Sequence, residues 1–242
     1  MISSNIDEVR RRITAAAHRA HRNPGDIRLI AVSKTFPAED VLTAAAAGQR
    51  DFGENRVQEA LPKIDATRGL PAEALAKAGP LDWHLIGHLQ SNKAKKAATS
   101  FAWIHSIDSI ELLQKIDDAA ADAGTRPRVL IQVDLAHEAT KSGADAAEVS
   151  AIARIALGGK AVQLSGLMIV PPIAENPEDA RPWFRQLREL RDQLISGGIP
   201  AAALTELSMG MSHDFEVAIE EGATMVRVGS AIFGHRDYPA QA

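Results

Sequence analysis

Leu29-Ile30-Ala31-Val32-Ser33-Lys34 is a short apolar run that closes on a lysine, and Thr35-Phe36-Pro37 then breaks the chain away from it. The run has the length of a buried strand, so Lys34 falls at a strand's carboxyl end, where parallel α/β folds carry their chemistry. A lysine there is either a solvated strand-end residue or a Schiff-base amine, because partial desolvation turns an ammonium into a nucleophilic amine.

The far end of the chain decides between the two. Thr224-Met225-Val226-Arg227-Val228-Gly229-Ser230-Ala231-Ile232-Phe233-Gly234 reads as an apolar strand with an arginine in its middle, a Gly-Ser step and a short helical turn. Gly229 allows close approach of a ligand, and the N–H groups that follow suit a phosphate. In (β/α)8 barrels the phosphate site often follows the seventh and eighth strands. A strand-end lysine on the first strand and a phosphate turn on the last describe a site for pyridoxal 5'-phosphate. Arg227 is costly to bury unless paired. It reads either as half of a structural ion pair or as the partner of the cofactor's pyridine nitrogen. A donor-only arginine would keep that nitrogen unprotonated and the ring a weak electron sink.

Between these ends, strand-like and helix-like stretches alternate. Strands are expected to begin near Leu29, Asp51, Trp83, Trp103, Val129, Leu164, Leu204 and Met225. Helices are expected over Ala38 to Ala47, Arg56 to Ile64, Ser91 to Ala98, Ile110 to Ala123, Ala146 to Leu157, Asp179 to Leu194 and Phe215 to Glu221. Gly48, Gly124, Gly158-Gly159, Gly197-Gly198 and Gly222 fall where those helices stop. A leading helix carries Ile6, Val9, Ile13, Ala16 and Ala20 on one face, with Asn5 and Glu8 spaced as a capping pair. Eight such strands imply a parallel sheet. The expected α/β fold is a single (β/α)8 TIM barrel, with 1–25 as an extra N-terminal helix and 28–238 as the barrel. An open doubly wound sheet is the competing topology, weakened because no Gly-x-Gly-x-x-Gly follows the first strand.

Composition agrees with one globular domain. The 242 residues are close to the roughly 250 of a single barrel. The net charge of −4 carries no broad basic patch, which argues against nucleic acid. There are no cysteines, so disulfides and thiolate chemistry are excluded. Neither a secretory signal nor a membrane-length apolar run is present, so a cytoplasmic protein is expected, and a monomer.

Other candidate ligands sit at the strand ends. Asn55, in Phe52-Gly53-Glu54-Asn55, either hydrogen-bonds a ligand oxygen or caps a helix. Met168 either packs on the face of a bound ring or fills the core. Ser208 is placed to donate a hydroxyl to a phosphate, whereas Ser212 reads as a helix cap. His84 and His88 are four apart, but Gly87 and a strand-like context argue against a metal pair, and His84 reads as a packed barrel histidine.

Together Val32-Ser33-Lys34-Thr35, Phe52-Gly53-Glu54-Asn55, the run Trp83 to Lys93, Gly166-Leu167-Met168, Ser208 to Ser212, Val226 to Gly234, Arg236 and Tyr238 resemble one family, that of the pyridoxal phosphate homeostasis proteins (YggS/PROSC). The resemblance implies a barrel akin to the N-terminal domain of alanine racemase, with pyridoxal phosphate on Lys34. It also implies Arg227 near the pyridine nitrogen and the phosphate held around Ser208, Gly229 and Ser230. Such proteins are cofactor-binding regulators of vitamin B6 balance without established catalysis, their candidate partners being apo-enzymes and amino acids. Asp134 departs from the usual Asn, while Glu138 and Lys141-Ser142-Gly143 fit. Two other readings stand beside this one. An amino-acid racemase needs a second base, and the sole tyrosine is Tyr238 in the terminal tail. A barrel acting on another phosphorylated substrate would use Lys34 as a clamp.

Overall fold

Each apolar run becomes one stave of a closed ring. A computed structural model describes residues 1–68, 79–136 and 142–234. The strands of the ring are β1 (Arg28–Val32), β2 (Asp51–Glu54), β3 (Asp82–Leu85), β4 (Trp103–Ile107), β5 (Arg128–Asp134), β6 (Gln163–Met168), β7 (Glu206–Met211) and β8 (Met225–Val228). All pairings are parallel, and β8 returns to β1 with Ile30 beside Arg227. Closure removes the free edges an open sheet would leave. The fold is a (β/α)8 barrel preceded by a helix.

Around it run α1 (Ile2–Arg19), α2 (Ala38–Ala46), α3 (Val57–Arg68), α4 (Ala94–Ser100), α5 (Ile110–Ala123), α6 (Ala146–Leu157), α7 (Arg181–Ser196), α8 (Phe215–Glu220) and α9 (Ser230–Phe233). The helices form where one face is apolar at helical spacing. On α6 that face is Val149, Ile152, Ala153 and Ala156, and Asp145 caps the first turn by accepting from the Ala147 N–H. On α5, Ser109 caps the start and Gly124 ends the helix in the left-handed conformation, φ 67°. The large core lies between strands and helices. A second, smaller cluster of Ile30, Trp103, Leu130, Met168 and Met225 fills the barrel itself.

Four local expectations change. α1 begins at Ile2, so Asn5 and Glu8 lie inside it and do not cap it. Asn5 donates instead to the Ile232 carbonyl, and Glu8 pairs with Arg11. Near Leu204 the chain makes a 3-10 turn, Ala201–Ala203, after Pro200, which delays β7 to Glu206. α3 continues past Pro62 to Arg68, because Pro62 removes only one helical bond on an exposed turn. A two-residue strand, Ala144–Asp145, runs parallel to Val133–Asp134 beside the ring.

Candidate functional site

At the carboxyl end of the ring, a cleft of about 440 Å3 opens between the β1 and β8 loops. Lys34, Thr35, Phe36, Asn55, Gly229 and Ser230 line it, so the first and last strands meet there as barrel closure requires. Lys34 lies two residues beyond β1 and is exposed; the desolvation expected of it is absent. Thr35 next to it has φ 67°, a left-handed conformation that is strained for a β-branched residue. Phe36 stacks on Phe233 with centroids 5.1 Å apart, tying this loop to α9. The Asn5 bond to Ile232 fixes α9 from the other side.

Two glycines let backbones converge. A Cβ on Gly229 would lie 3.3 Å from the Val32 carbonyl oxygen, and one on Gly87 would lie 2.4 Å from that of Asn55. The N–H groups of Gly229 and Ala231 are directed at the Ser212 hydroxyl, at 3.0 and 3.5 Å. Ser212 therefore belongs to this turn.

Behind Lys34, outside the barrel wall, the Lys63 ammonium reaches in from α3. It donates to the Ser33 carbonyl at 2.7 Å and to Glu54 Oε1 at 2.6 Å, which also accepts from the Ser33 hydroxyl at 2.7 Å. Glu54 is fully buried, and its Oε2 has no hydrogen-bond partner among the described residues. Burial pushes its carboxyl above the usual range, against the pull of Lys63 and Ser33. The residue preceding Lys34 is thus held through both its carbonyl and its hydroxyl.

Inside the barrel, a file of polar groups leads to Arg227. Arg28 donates to Asp51 Oδ1 at 2.7 Å, and the same oxygen meets His84 Nε2 at 3.0 Å. His84 Nδ1 lies 3.0 Å from His105 Nε2, and His105 Nδ1 lies 2.9 Å from Ser208 Oγ. Arg227 donates to Ser208 Oγ at 2.7 Å and to the Ile169 carbonyl at 2.8 Å. Arg227 is 4% exposed, and among the described residues its partners are that hydroxyl and that carbonyl, with no carboxylate salt bridge. Burial lowers its pKa to about 10, with Asp214 acting in the opposite direction. Burial likewise holds His84 below, and His105 well below, the ordinary imidazole value. Burial alone would raise Asp51, but His84 and Arg28 together leave its carboxyl below the usual range.

The sequence matches the alanine racemase N-terminal domain family over residues 4–237. The chain is 44% identical to the pyridoxal phosphate homeostasis protein of Pseudomonas aeruginosa, covering 100% of this chain and 98% of the relative. It is 43% identical to the protein of that name from Aquifex aeolicus, over 96% and 97%. This chain belongs to the pyridoxal phosphate homeostasis protein family. Among solved structures, PipY of Synechococcus elongatus with PLP bound is 39% identical, with a TM-score of 0.82 over 97% of this chain and 100% of that one. An alanine racemase of Clostridium difficile shares the fold at 16% identity, with a TM-score of 0.67 over 99% of this chain and 57% of that one.

Within the framework of this homeostasis family, the seven expected ligands divide by depth. Lys34, Asn55, Gly229 and Ser230 line the cleft. Arg227 faces the barrel interior two residues before Gly229. Met168 is buried in the apolar cluster inside the ring, beside Ile30 and Trp103. Ser208 is fully buried with its hydroxyl between Arg227 and His105. Ser212, not Ser208, is the hydroxyl bonded to the Gly229 turn, because residue 208 lies a layer deeper in the barrel. Lys63, Asp51 and His105 were not singled out from the sequence; the available signal was a polar residue within an apolar run, as at Ser33 and His105. His84 is a packed barrel histidine, as its context indicated. Asp134 accepts from the Ala136 N–H and shapes the turn after β5. Glu138, Lys141, Arg236 and Tyr238 lie outside the described residues.

Proposed function

We propose that this protein holds pyridoxal 5'-phosphate covalently on Lys34 and serves intracellular vitamin B6 homeostasis as a carrier or regulator without a catalytic cycle. The observation that carries the reading is the meeting of Lys34 with the Gly229-Ser230 turn in one cleft. The donor set fits the group: an accessible amine for an aldehyde, backbone and hydroxyl donors for a phosphate, and an arginine below them for a ring nitrogen. A volume of about 440 Å3 lies within the usual range for small-molecule sites. The relatives' name and the PLP-bound PipY support the same cofactor.

When bound, the cofactor would supply an electron sink and an aldehyde carbon. Lys34 would hold that carbon through its amine, with the carbonyl oxygen released as water. The Ser230 N–H and hydroxyl, on the turn that Ser212 braces through the Gly229 N–H, would orient the phosphate, and Asn55 would supply a polar contact at the cleft wall. Arg227 has only donors, so a ring nitrogen facing it stays unprotonated. Such a site retains its cofactor and does little carbanion chemistry.

Borohydride treatment of the loaded protein followed by peptide mapping tests this directly. The adduct is expected on the peptide containing Lys34 and is expected to vanish in Lys34→Ala. An adduct on Lys93 or Lys141 overturns the assignment. The same loaded protein given L-alanine in deuterated water is expected to form no D-alanine, and rapid inversion would establish a racemase instead.

A further inference from the structure

The file from Asp51 to Arg227 has a single direction. Asp51 is ionised and can only accept, so His84 donates to it from Nε2. A neutral His84 then offers Nδ1 as an acceptor, and His105 donates to it from Nε2. His105 Nδ1 in turn accepts the Ser208 hydroxyl proton, leaving the Ser208 oxygen to accept from Arg227. Every hydrogen between these groups points toward Asp51, and both nitrogens of each imidazole and the Ser208 hydroxyl are used. The reverse arrangement would need an imidazolium at His84 and would leave the Ser208 hydroxyl proton without an acceptor among its bonds. Burial and the arginines at each end, Arg28 and Arg227, oppose charge on the histidines, while Asp51 and, last in order, Asp82 favour it at His84.

We propose that Asp51, His84, His105 and Ser208 are positioning residues for Arg227, forming a polarised relay that sets how strongly its guanidinium donates to the cofactor's ring nitrogen. The relay leans the Asp51 carboxylate on a buried cation that has no carboxylate salt bridge among the described residues. Polarisation along such chains strengthens each bond in turn. It also commits the Ser208 proton to His105, away from the cleft. No proton crosses the barrel, since that would require a neutral arginine. The role toward the cofactor rests on the proposed function above, whereas the tautomer pattern does not.

Two measurements test it. Long-range proton–nitrogen NMR of the cofactor-free protein is expected to show His84 and His105 as neutral Nε2–H tautomers that do not titrate between about pH 8 and 6, spanning the ordinary imidazole value. An Nδ1–H tautomer at either residue, or an imidazolium at His84, overturns the relay. In the loaded protein, the pH midpoint of the absorbance band of lysine-bound cofactor is read in variants. Asp51→Asn and Ser208→Ala each release Arg227 to donate more strongly and are expected to lower that midpoint. The double variant is expected to shift it no further than Ser208→Ala alone, and Asp82→Asn is expected to leave it unchanged. Additive shifts, an equal shift in Asp82→Asn, or no shift in Ser208→Ala would overturn the proposal. A failed borohydride adduct would instead remove the cofactor reading and leave the NMR result to stand alone.

Discussion

Outside the barrel wall, Lys63 compensates Glu54 with a full opposite charge and grips the Ser33 carbonyl. Inside it, Arg227 is met among the described residues by a hydroxyl and a carbonyl, with the chain of polar groups beyond the hydroxyl ending at Asp51. The helix layer can deliver a long flexible cation to a strand residue, because α3 packs directly over β2. Inside the ring the polar groups come from other strands: Arg28 and Asp51 form an ion pair at the amino-terminal end of the file, while the described groups that touch Arg227 are neutral. The two networks contrast a buried cation met directly by a carboxylate with one linked to a carboxylate through a hydroxyl and two imidazoles. They also differ in completeness: the outer leaves Glu54 Oε2 unpartnered, and the inner leaves no member of its file unused.

Breaking the outer pair has the largest expected effect. Lys63→Met leaves a buried carboxylate uncompensated and is expected to lower unfolding free energy by about 3–5 kcal/mol in denaturant titrations. Adding Glu54→Gln should restore most of that loss. If Lys63→Met unfolds at the wild-type midpoint, Lys63 does not secure the loop behind Lys34.

The inner network responds to pH. His84 and His105 have folded pKa values below those of the unfolded chain, so unfolding takes up protons near and below the ordinary imidazole value of about 6.5. Their contribution is fully present above that value and is lost as pH falls toward the depressed folded values. Each proton taken up contributes a slope of about 1.4 kcal/mol per pH unit. Stability measured from pH 8 to 5 should fall on the acid side, and His105→Gln should flatten that fall. An unchanged slope in the variant would show that His105 is not held neutral.

The smallest effect separates the hydroxyl from the charge. Ser33→Ala removes one donor to Glu54 Oε1 while Lys63 remains, and should cost about 1 kcal/mol. A loss as large as that of Lys63→Met would mean that Ser33, not the ion pair, organises the network.

Much of this arrangement was legible before folding. The apolar runs gave the eight strands, and Gly124 marked a helix end that needs a left-handed residue. Lys34 and Gly229 could be paired across the whole chain because closing a barrel sets the last strand beside the first. Depth along a strand was not legible. Met168 and Ser208 face inward as their spacing demands, yet the register that pairs them also places them below the cleft. The direction of the Ser208 hydroxyl depends on His105, 103 residues earlier, across the barrel. Lys63 looked like any polar residue on α3, since nothing in the sequence tells which lysine lies over a buried carboxylate.

The Trp103 ring, at the amino-terminal mouth, is covered by Arg28 and Arg128 with their guanidinium carbons 5.3 and 4.9 Å from its centroid. Above it the barrel interior is filled by Ile30, Leu130, Met168 and Met225. A vessel plugged in this way works from one end. Traffic through its bore is barred, so whatever reaches Lys34 enters from the carboxyl-end face and departs from it too. Arrival and departure are therefore in competition for the same doorway, and a molecule seated there delays its successor.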